Sequence, residues 1–338
     1  MKLAGAELRL DYGDPAGEAL ACRSTCALFD FSFIRSVRLQ GKHARTLAEA
    51  FSSRSLATLR ENKIAYALHV DTNGNALSDL TIWQIAPETI EIMSGRPEDI
   101  AALLAHESRD LRVIDLSAER AIYSLQGPDS FAVLHRLGAR GSEALGYFEF
   151  GALKIADIPC VIGRLGYTGE AGFEIVVEHK HAARLWQSLA NLARPAGFIA
   201  ADALRIEAGF VLFANELRLP VTPKELGLAR FYAGPRLRPS VLKLISFTAE
   251  ANNLDWPWQP ATTSAPAEPG DIVVTSACHS SLAEKILGLG YVLAATQKDL
   301  SLRDPAGVFR NATITQMPFY DPQKMRPRAA WSGMPPTS

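Results

Sequence analysis

In residues 62–85, NKIAYALHVDTNGNALSDLTIWQI, two runs that alternate apolar and polar side chains meet at Asn73-Gly74. Asn-Gly tolerates positive φ at both central turn positions, which a two-residue β-hairpin loop demands. The hairpin commits the chain to an antiparallel sheet and excludes an all-helical fold. With Asn73 and Gly74 as the loop, Thr72 faces Asn75, Leu68 faces Asp79 and Tyr66 faces Thr81. Alternate side chains share a face, so Tyr66, Leu68, Val70, Leu77, Asp79, Thr81 and Trp83 line one side of the hairpin. Asp79 carries the only charge among them, and Tyr66 is its diagonal neighbour, roughly 7–8 Å away. An ionised carboxylate on an apolar face is costly unless paired. Asp79 is therefore either satisfied by nearby backbone N–H groups or an acid–base or charge-stabilising group in a pocket.

A second segment, GYTGEAGFEIVV (166–177), spaces Gly166, Gly169 and Gly172 three apart and then runs into an alternating strand. Phe173, Ile175 and Val177 fall on one face, Glu174 and Val176 on the other. The segment reads as an ordinary glycine-rich turn feeding a strand, or as backbone kept clear of side chains so that a flat ligand can lie beside it. In the second reading Glu174 suits a heterocycle presenting two adjacent N–H donors. Glu170 falls in the turn, where solvent is expected to surround it.

Elsewhere, FDFSFIRSVRLQG (29–41) ends as a half-buried strand with Val37 and Leu39 inward. Helices are expected at 42–51, 97–106, 128–138, 179–193 and 200–209. Strands and helices alternate with many antiparallel signals, so the expected class is α+β rather than a doubly wound sheet. The 338 residues suggest two or three domains. A net charge of −1 provides no field to gather nucleic acid or anionic membrane. No apolar run approaches the roughly 20 residues of a membrane helix, the N-terminus meets acid too early for a secretory signal, and the four cysteines form no CxxC pair. The chain reads as cytoplasmic. Its histidines show no metal-ligand spacing, so no metal is expected.

Several segments carry a resemblance. GYTGEAGFEI and ALRIEAGFVLFANEL (203–217) resemble the glycine cleavage T-protein, within the folate-binding GcvT-like aminomethyltransferase superfamily. CRSTCALFDFS (22–32), TNGNALSDL (72–80), SLQGPDSFAVL (124–134), VTPKELGL (221–228) and MPFYD (317–321) agree in order along nearly the whole chain. The resemblance implies a three-domain cloverleaf around a central hole, with a C-terminal β-barrel. Its divisions fall at 1–140 for the first folate-binding α/β region, where domains 1 and 2 interleave, and 141–229 for a second containing the glycine motif. The barrel spans 230–322, and 323–338 forms a loose tail.

The resemblance also implies tetrahydrofolate as the ligand. Asp79 falls on the catalytic acid, Tyr66 on a residue lining the folate pocket, and Glu174 on the residue that holds the pterin edge. Tyr147 and Phe148 match an aromatic pair beside the pterin, and Tyr167 of the glycine motif joins them. Ser94 aligns with a pocket Asn. Arg205 is retained, with an ion pair to Asp202 as the alternative to ligand contact. Two departures stand out: Phe33-Ile34-Arg35 replaces His-Met-Gly, and Ala200-Ala201-Asp202 replaces Ala-Arg-Asp, removing a pocket arginine. The expected activity is a tetrahydrofolate-dependent one-carbon transferase or demethylase. Its expected partners are folate and a small methylated or aminomethylated donor, with a carrier or oxidase protein as a further partner. Glycine cleavage with a lipoyl carrier protein is one alternative. A non-catalytic YgfZ-type folate binder assisting iron–sulfur enzymes is the other, although the Lys-Gly-Cys segment of that group is absent from ARFYAGPRLRPS (229–240).

Overall fold

The structure, a computed structural model, describes every residue except Met1, Ala4, Asn252, Asn253, 255–257, 259–263, 298–300, 330 and 332–338. The expected hairpin is the edge of a five-stranded antiparallel sheet. Its order is Ile64–Val70, Ala76–Ala86, Thr89–Ser94, Arg35–Gln40 and Arg112–Asp115. One face of this sheet places Val37, Leu39, Leu80, Ile82, Ile90 and Ile92 against the helices Ala44–Ser52 and Pro97–Leu104. Val37 and Leu39 point inward as their alternation requires, while Arg38 pairs with Glu91 on the other face.

The glycine motif feeds a six-stranded sheet of order Phe150–Ile155, Ile158–Gly163, Gly172–Glu178, Arg120–Gln126, Ala27–Asp30 and Arg194–Ala196, the last strand parallel to its neighbour. Phe173, Ile175 and Val177 pack outward onto the helices Ser130–Arg136 and His179–Ala190. The opposite face carries Phe29, Ile122 and Val176, and these share one core with Ile64, Trp83 and Met93 of the five-stranded sheet. The two sheets therefore meet across the Asp79 side of the hairpin and the Glu174 side of the glycine-motif strand. Contact is close: Trp83 lies where a Cβ on Gly163 would sit 2.2 Å from its ring. Main-chain bonds from Ile64 to Phe148 (2.8 Å) and from Phe150 to Asn62 (3.0 Å) stitch the sheets together at one end.

The C-terminal region is an antiparallel four-stranded sheet, ordered Val273–Ser280, Lys285–Leu293, Leu242–Ala251 and Phe309–Thr315. Among the described residues its edge strands do not pair with each other, and no closed β-barrel of the kind expected there is found among them. The edge strand Val273–Ser280 instead packs on the helix Phe198–Glu207, and that interface buries Ala203, Ile206, Cys278 and Leu287 in one core. The segment expected to be a loose tail is anchored where it is described. Arg164 donates to the carbonyls of Pro327 and Ala329, and Trp331 stacks on Phe131 at 5.9 Å. No helix among the described residues is long and apolar enough to cross a membrane.

Candidate functional site

The hairpin reaches its expected register by two compensating departures. Its loop has three residues, closed by the Asp71 N–H on the Asn75 carbonyl (2.9 Å), with Gly74 at φ +83°. The Asp71 carboxylate holds the turn by accepting from the main-chain N–H groups of Asn73 (2.9 Å) and Asn75 (2.8 Å). A bulge beyond His69 then restores the pairing, so Leu68 lies opposite Asp79 and Tyr66 opposite Thr81. A three-residue loop with a glycine in the left-handed region is the common next choice after the two-residue loop.

Asp79 faces the space between the sheets. Burial pushes its carboxyl up to about 6, against a hydrogen bond from Tyr66 that favours ionisation; the charges of Asp99 and Glu216 add to the rise. Tyr66 is held edge-on to Phe231 at 4.8 Å, and its main-chain carbonyl accepts from Arg54. Across the space, Glu174 is 8% exposed and accepts no hydrogen bond from any described residue. Burial raises its carboxyl to about 7, and the charge of Asp79 raises it further. A buried carboxylate without a donor is unstable in its charged form, and among the described residues Glu174, unlike Asp79, has none.

Aromatic rings wall the same space. Tyr147 meets Phe148 edge-on at 4.7 Å, and Phe148 adopts φ +63° as the chain turns between the sheets. The fields of Glu174 and Arg230 both reach Tyr147. Tyr167 stacks on Phe210 at 5.8 Å and donates its hydroxyl to the Val211 carbonyl; burial raises its pKa, opposed by the charge of Arg205 and reinforced by that of Asp79. Asp79, Tyr66, Glu174, Tyr147, Phe148 and Tyr167 thus converge.

Ser94 does not join them, and Arg205 reaches them only through its charge on Tyr167. The Ser94 hydroxyl donates to Asp99 (2.6 Å), a buried carboxylate that also takes bonds from Ser78, His69 and Arg96 on the far side of the sheet. Arg205 is fully buried, paired with Asp202 (2.7 Å) and Glu216 (2.8 Å) and donating to Ser276, so it ties the helix Phe198–Glu207 to the C-terminal sheet. The ion-pair alternative raised by its spacing is the one realised.

Glu170 also differs from expectation. It is 2% exposed, accepts from Tyr320 and pairs with Arg23 (3.3 Å) and Arg326 (3.5 Å). The glycines make room for neighbouring side chains of the protein. A Cβ at Gly166 or Gly172 would strike the buried Gln126 side chain, and one at Gly169 would meet Ala208. Gln126 in turn donates to the Leu165 carbonyl (3.2 Å) and accepts from Thr168 (3.0 Å), clamping the loop. Residues that periodicity could not find include Phe231, Arg230, Lys324 and Arg328, which arrive from the turn Ala229–Phe231 and the C-terminal segment; Phe210 stands within the quoted ALRIEAGFVLF stretch without a pattern to single it out. Among the described residues no group of three His, Cys, Asp or Glu side chains could hold a metal ion.

Residues 11–233 match the model of the GCVT N-terminal domain family. The chain is 28% identical to an aminomethyltransferase of Rubrobacter xylanophilus, over 98% of this chain and 92% of that one. It is 31% identical to an aminomethyltransferase of Streptomyces avermitilis over 67% of this chain and 63% of that protein. A relative from Thermotoga petrophila, also an aminomethyltransferase, is 28% identical, and the match spans 65% of its length. The crystal structure of glycine cleavage system aminomethyltransferase T from Bartonella henselae superposes with a TM-score of 0.78 at 24% identity. It covers 95% of this chain and 94% of that one, which establishes a shared α/β fold.

Proposed function

Because the chain belongs to the GCVT N-terminal domain family, we infer that it transfers a one-carbon unit between a small methylated or aminomethylated donor and tetrahydrofolate. The observation that carries this reading is Glu174, a buried carboxylate with no donor among the described residues, facing Asp79 across a space walled by Tyr66, Tyr147, Phe148 and Tyr167. A pterin edge presents adjacent N–H donors and a flat ring, so it satisfies Glu174 and packs on those aromatics. When bound, tetrahydrofolate supplies the ring nitrogen that exchanges the one-carbon unit.

The chain's own groups do the rest. Glu174 orients the ring by charge-assisted hydrogen bonds, each contributing about 1.5–3 kcal/mol. The aromatic walls exclude water and hold acceptor and donor together, replacing a bimolecular encounter. Asp79, with its carboxyl at about 6, is mostly ionised at neutral pH and close enough to protonation to exchange a proton with the donor nitrogen. Its negative charge also stabilises a cation developing there.

The test is to mix purified protein with tetrahydrofolate and screen methylated amines, sulfonium compounds and aryl methyl ethers, reading methyl- or methylene-tetrahydrofolate by mass spectrometry. Product from at least one donor class is expected. Failure of every donor together with absence of folate binding overturns the reading. The end-to-end match to the Rubrobacter protein favours a second reading, glycine cleavage with a lipoyl carrier protein. Including an aminomethylated lipoyl carrier in the same screen separates the two, since only the second reading predicts product from it.

A further inference from the structure

Glu174 has a polar neighbour on its own sheet, Ser124. Across the six-stranded sheet the row reads Gly163, Glu174, Ser124 and Phe29, each directly opposite the next. Ser124 lies on the strand Arg120–Gln126, where Tyr123 and Leu125 pack outward and Ile122 faces the core between the sheets. Alternation therefore turns Ser124 to the same side as Glu174. Opposite residues on an antiparallel pair hold their Cβ atoms about 4.5–5.5 Å apart, within reach of a hydroxyl and a carboxylate.

Both groups are buried and both are orphaned. Ser124 is fully buried, and its Oγ meets no hydrogen-bond partner among the described residues. Phe29 and Ile122 beside it are apolar. Gln126, the other polar residue on this face of the strand, commits its amide to the Leu165 and Phe173 carbonyls and its carbonyl to Thr168. Glu174 is the side-chain acceptor left within the sheet. A buried hydroxyl without a partner is destabilising, and turning it between staggered rotamers is enough to change where it points. Among the described residues the charged groups nearby give Glu174 no donor. Asp79 on the facing hairpin raises its carboxyl. Tyr147 lies in its field, and Arg164, Arg230 and Arg328 act on that tyrosine. The helix Phe198–Glu207 presents Ala200, Ala201 and Leu204 to this core.

We propose that Ser124 is a positioning residue for the acid that receives the ligand: its hydroxyl donates to the Glu174 carboxylate whenever that carboxylate is charged, fixing it for the N–H edge of the pterin. The proposal rests on the folate reading above and adds a group that acts through Glu174. Each carboxylate oxygen has two lone pairs, so the hydroxyl takes one while the ligand's N–H donors take others. A bond made to the charged form lowers the pH at which Glu174 ionises, against the upward push of burial and Asp79. The acid is thereby buried deeply enough to exclude water and still serves as an acceptor at neutral pH.

The test measures tetrahydrofolate affinity by calorimetry from pH 6 to pH 9 for wild type, Ser124→Ala, Glu174→Gln and the double variant. Losing the hydroxyl should raise the midpoint of the affinity profile by about one pH unit, the effect of one charge-assisted bond. Ser124→Ala should therefore bind about five- to tenfold more weakly at pH 6 and as tightly as wild type at pH 9. Equal affinity at pH 9 also shows that the variant is folded. Glu174→Gln should make the profile flat, and adding Ser124→Ala to it should change affinity less than about twofold at every pH. Asp79 titrates over part of the same range but is common to all four proteins. A Ser124→Ala profile that coincides with wild type overturns the proposal. So does a loss of equal size at pH 6 and pH 9, which makes the serine a packing or direct ligand contact. A pH-dependent loss that persists in the Glu174→Gln background assigns the titration to another group and overturns it too. In each of these cases wild type still binds and the folate reading stands. If wild type binds no tetrahydrofolate at any pH, the folate reading itself fails, and the proposal with it.

Discussion

Asp79→Asn is expected to lower turnover about 10²–10⁴-fold while leaving tetrahydrofolate affinity within a few-fold of wild type. Asparagine keeps the shape of the side chain and an acceptor for the Tyr66 hydroxyl, but it removes the charge and the exchangeable proton. The same variant has a second, opposite signature. The Asp79 carboxyl titrates at about 6 in the folded protein against 3.8 in the unfolded chain. The folded state therefore holds this proton more tightly. Its contribution to stability is present below pH 3.8 and is lost as pH rises through 6. Above that window wild type bears the full cost of a buried charge, on the order of 3 kcal/mol before solvent access reduces it. Asparagine bears none of it, so Asp79→Asn should resist urea better than wild type at pH 8 and no better at pH 4. Paired unfolding and turnover measurements check both halves. An Asp79→Asn protein that remains fully active removes Asp79 from the chemistry.

Glu174→Ala is expected to weaken tetrahydrofolate binding by about 10²-fold or more, since two charge-assisted bonds of about 1.5–3 kcal/mol each are lost. Turnover at saturating folate should change far less. Binding N–H donors favours the ionised carboxylate, and the unliganded group titrates at about 7. Wild-type affinity should therefore rise from pH 6 to pH 8, approaching tenfold per unit below 7 and levelling off above it. Glu174→Gln, which cannot ionise, should lose that slope. Calorimetry across this range decides the matter: an unchanged slope in the glutamine variant places the titration elsewhere.

The parts of the site legible in the sequence are those set by strand alternation. Tyr66, Asp79 and Glu174 follow from a period of two, and the register survived because the longer loop at Asp71–Asn75 and the bulge beyond His69 offset each other. Alternation also separates Phe173, Ile175 and Val177 from Glu174, but it is silent on what the Glu174 face meets; that Trp83 lies against Gly163 is a contact between strands far apart in sequence. Glycine spacing does not reveal its own cause for the same reason. Gly166 and Gly172 are small because Gln126, some forty residues earlier, occupies the space beside them. Glu170 reads as solvated in its turn, yet it is buried by Arg23 from the helix Pro15–Ser24 and Tyr320 from the C-terminal segment. Ser94 faces Asp99 because its strand presents that side to the helix Pro97–Leu104. The C-terminal cations carry no periodicity, and nothing local marks Lys324 as a neighbour of Phe210.

The central claim is that the two acids flank one ligand. It is tested most directly by a crystal structure of the protein with 5-methyltetrahydrofolate. The account predicts the pterin N–H edge on the Glu174 carboxylate, its ring against Tyr147 or Tyr167, and its methylated nitrogen on the side of Asp79. A pterin bound elsewhere, with the space between Asp79 and Glu174 filled only by solvent, would contradict it.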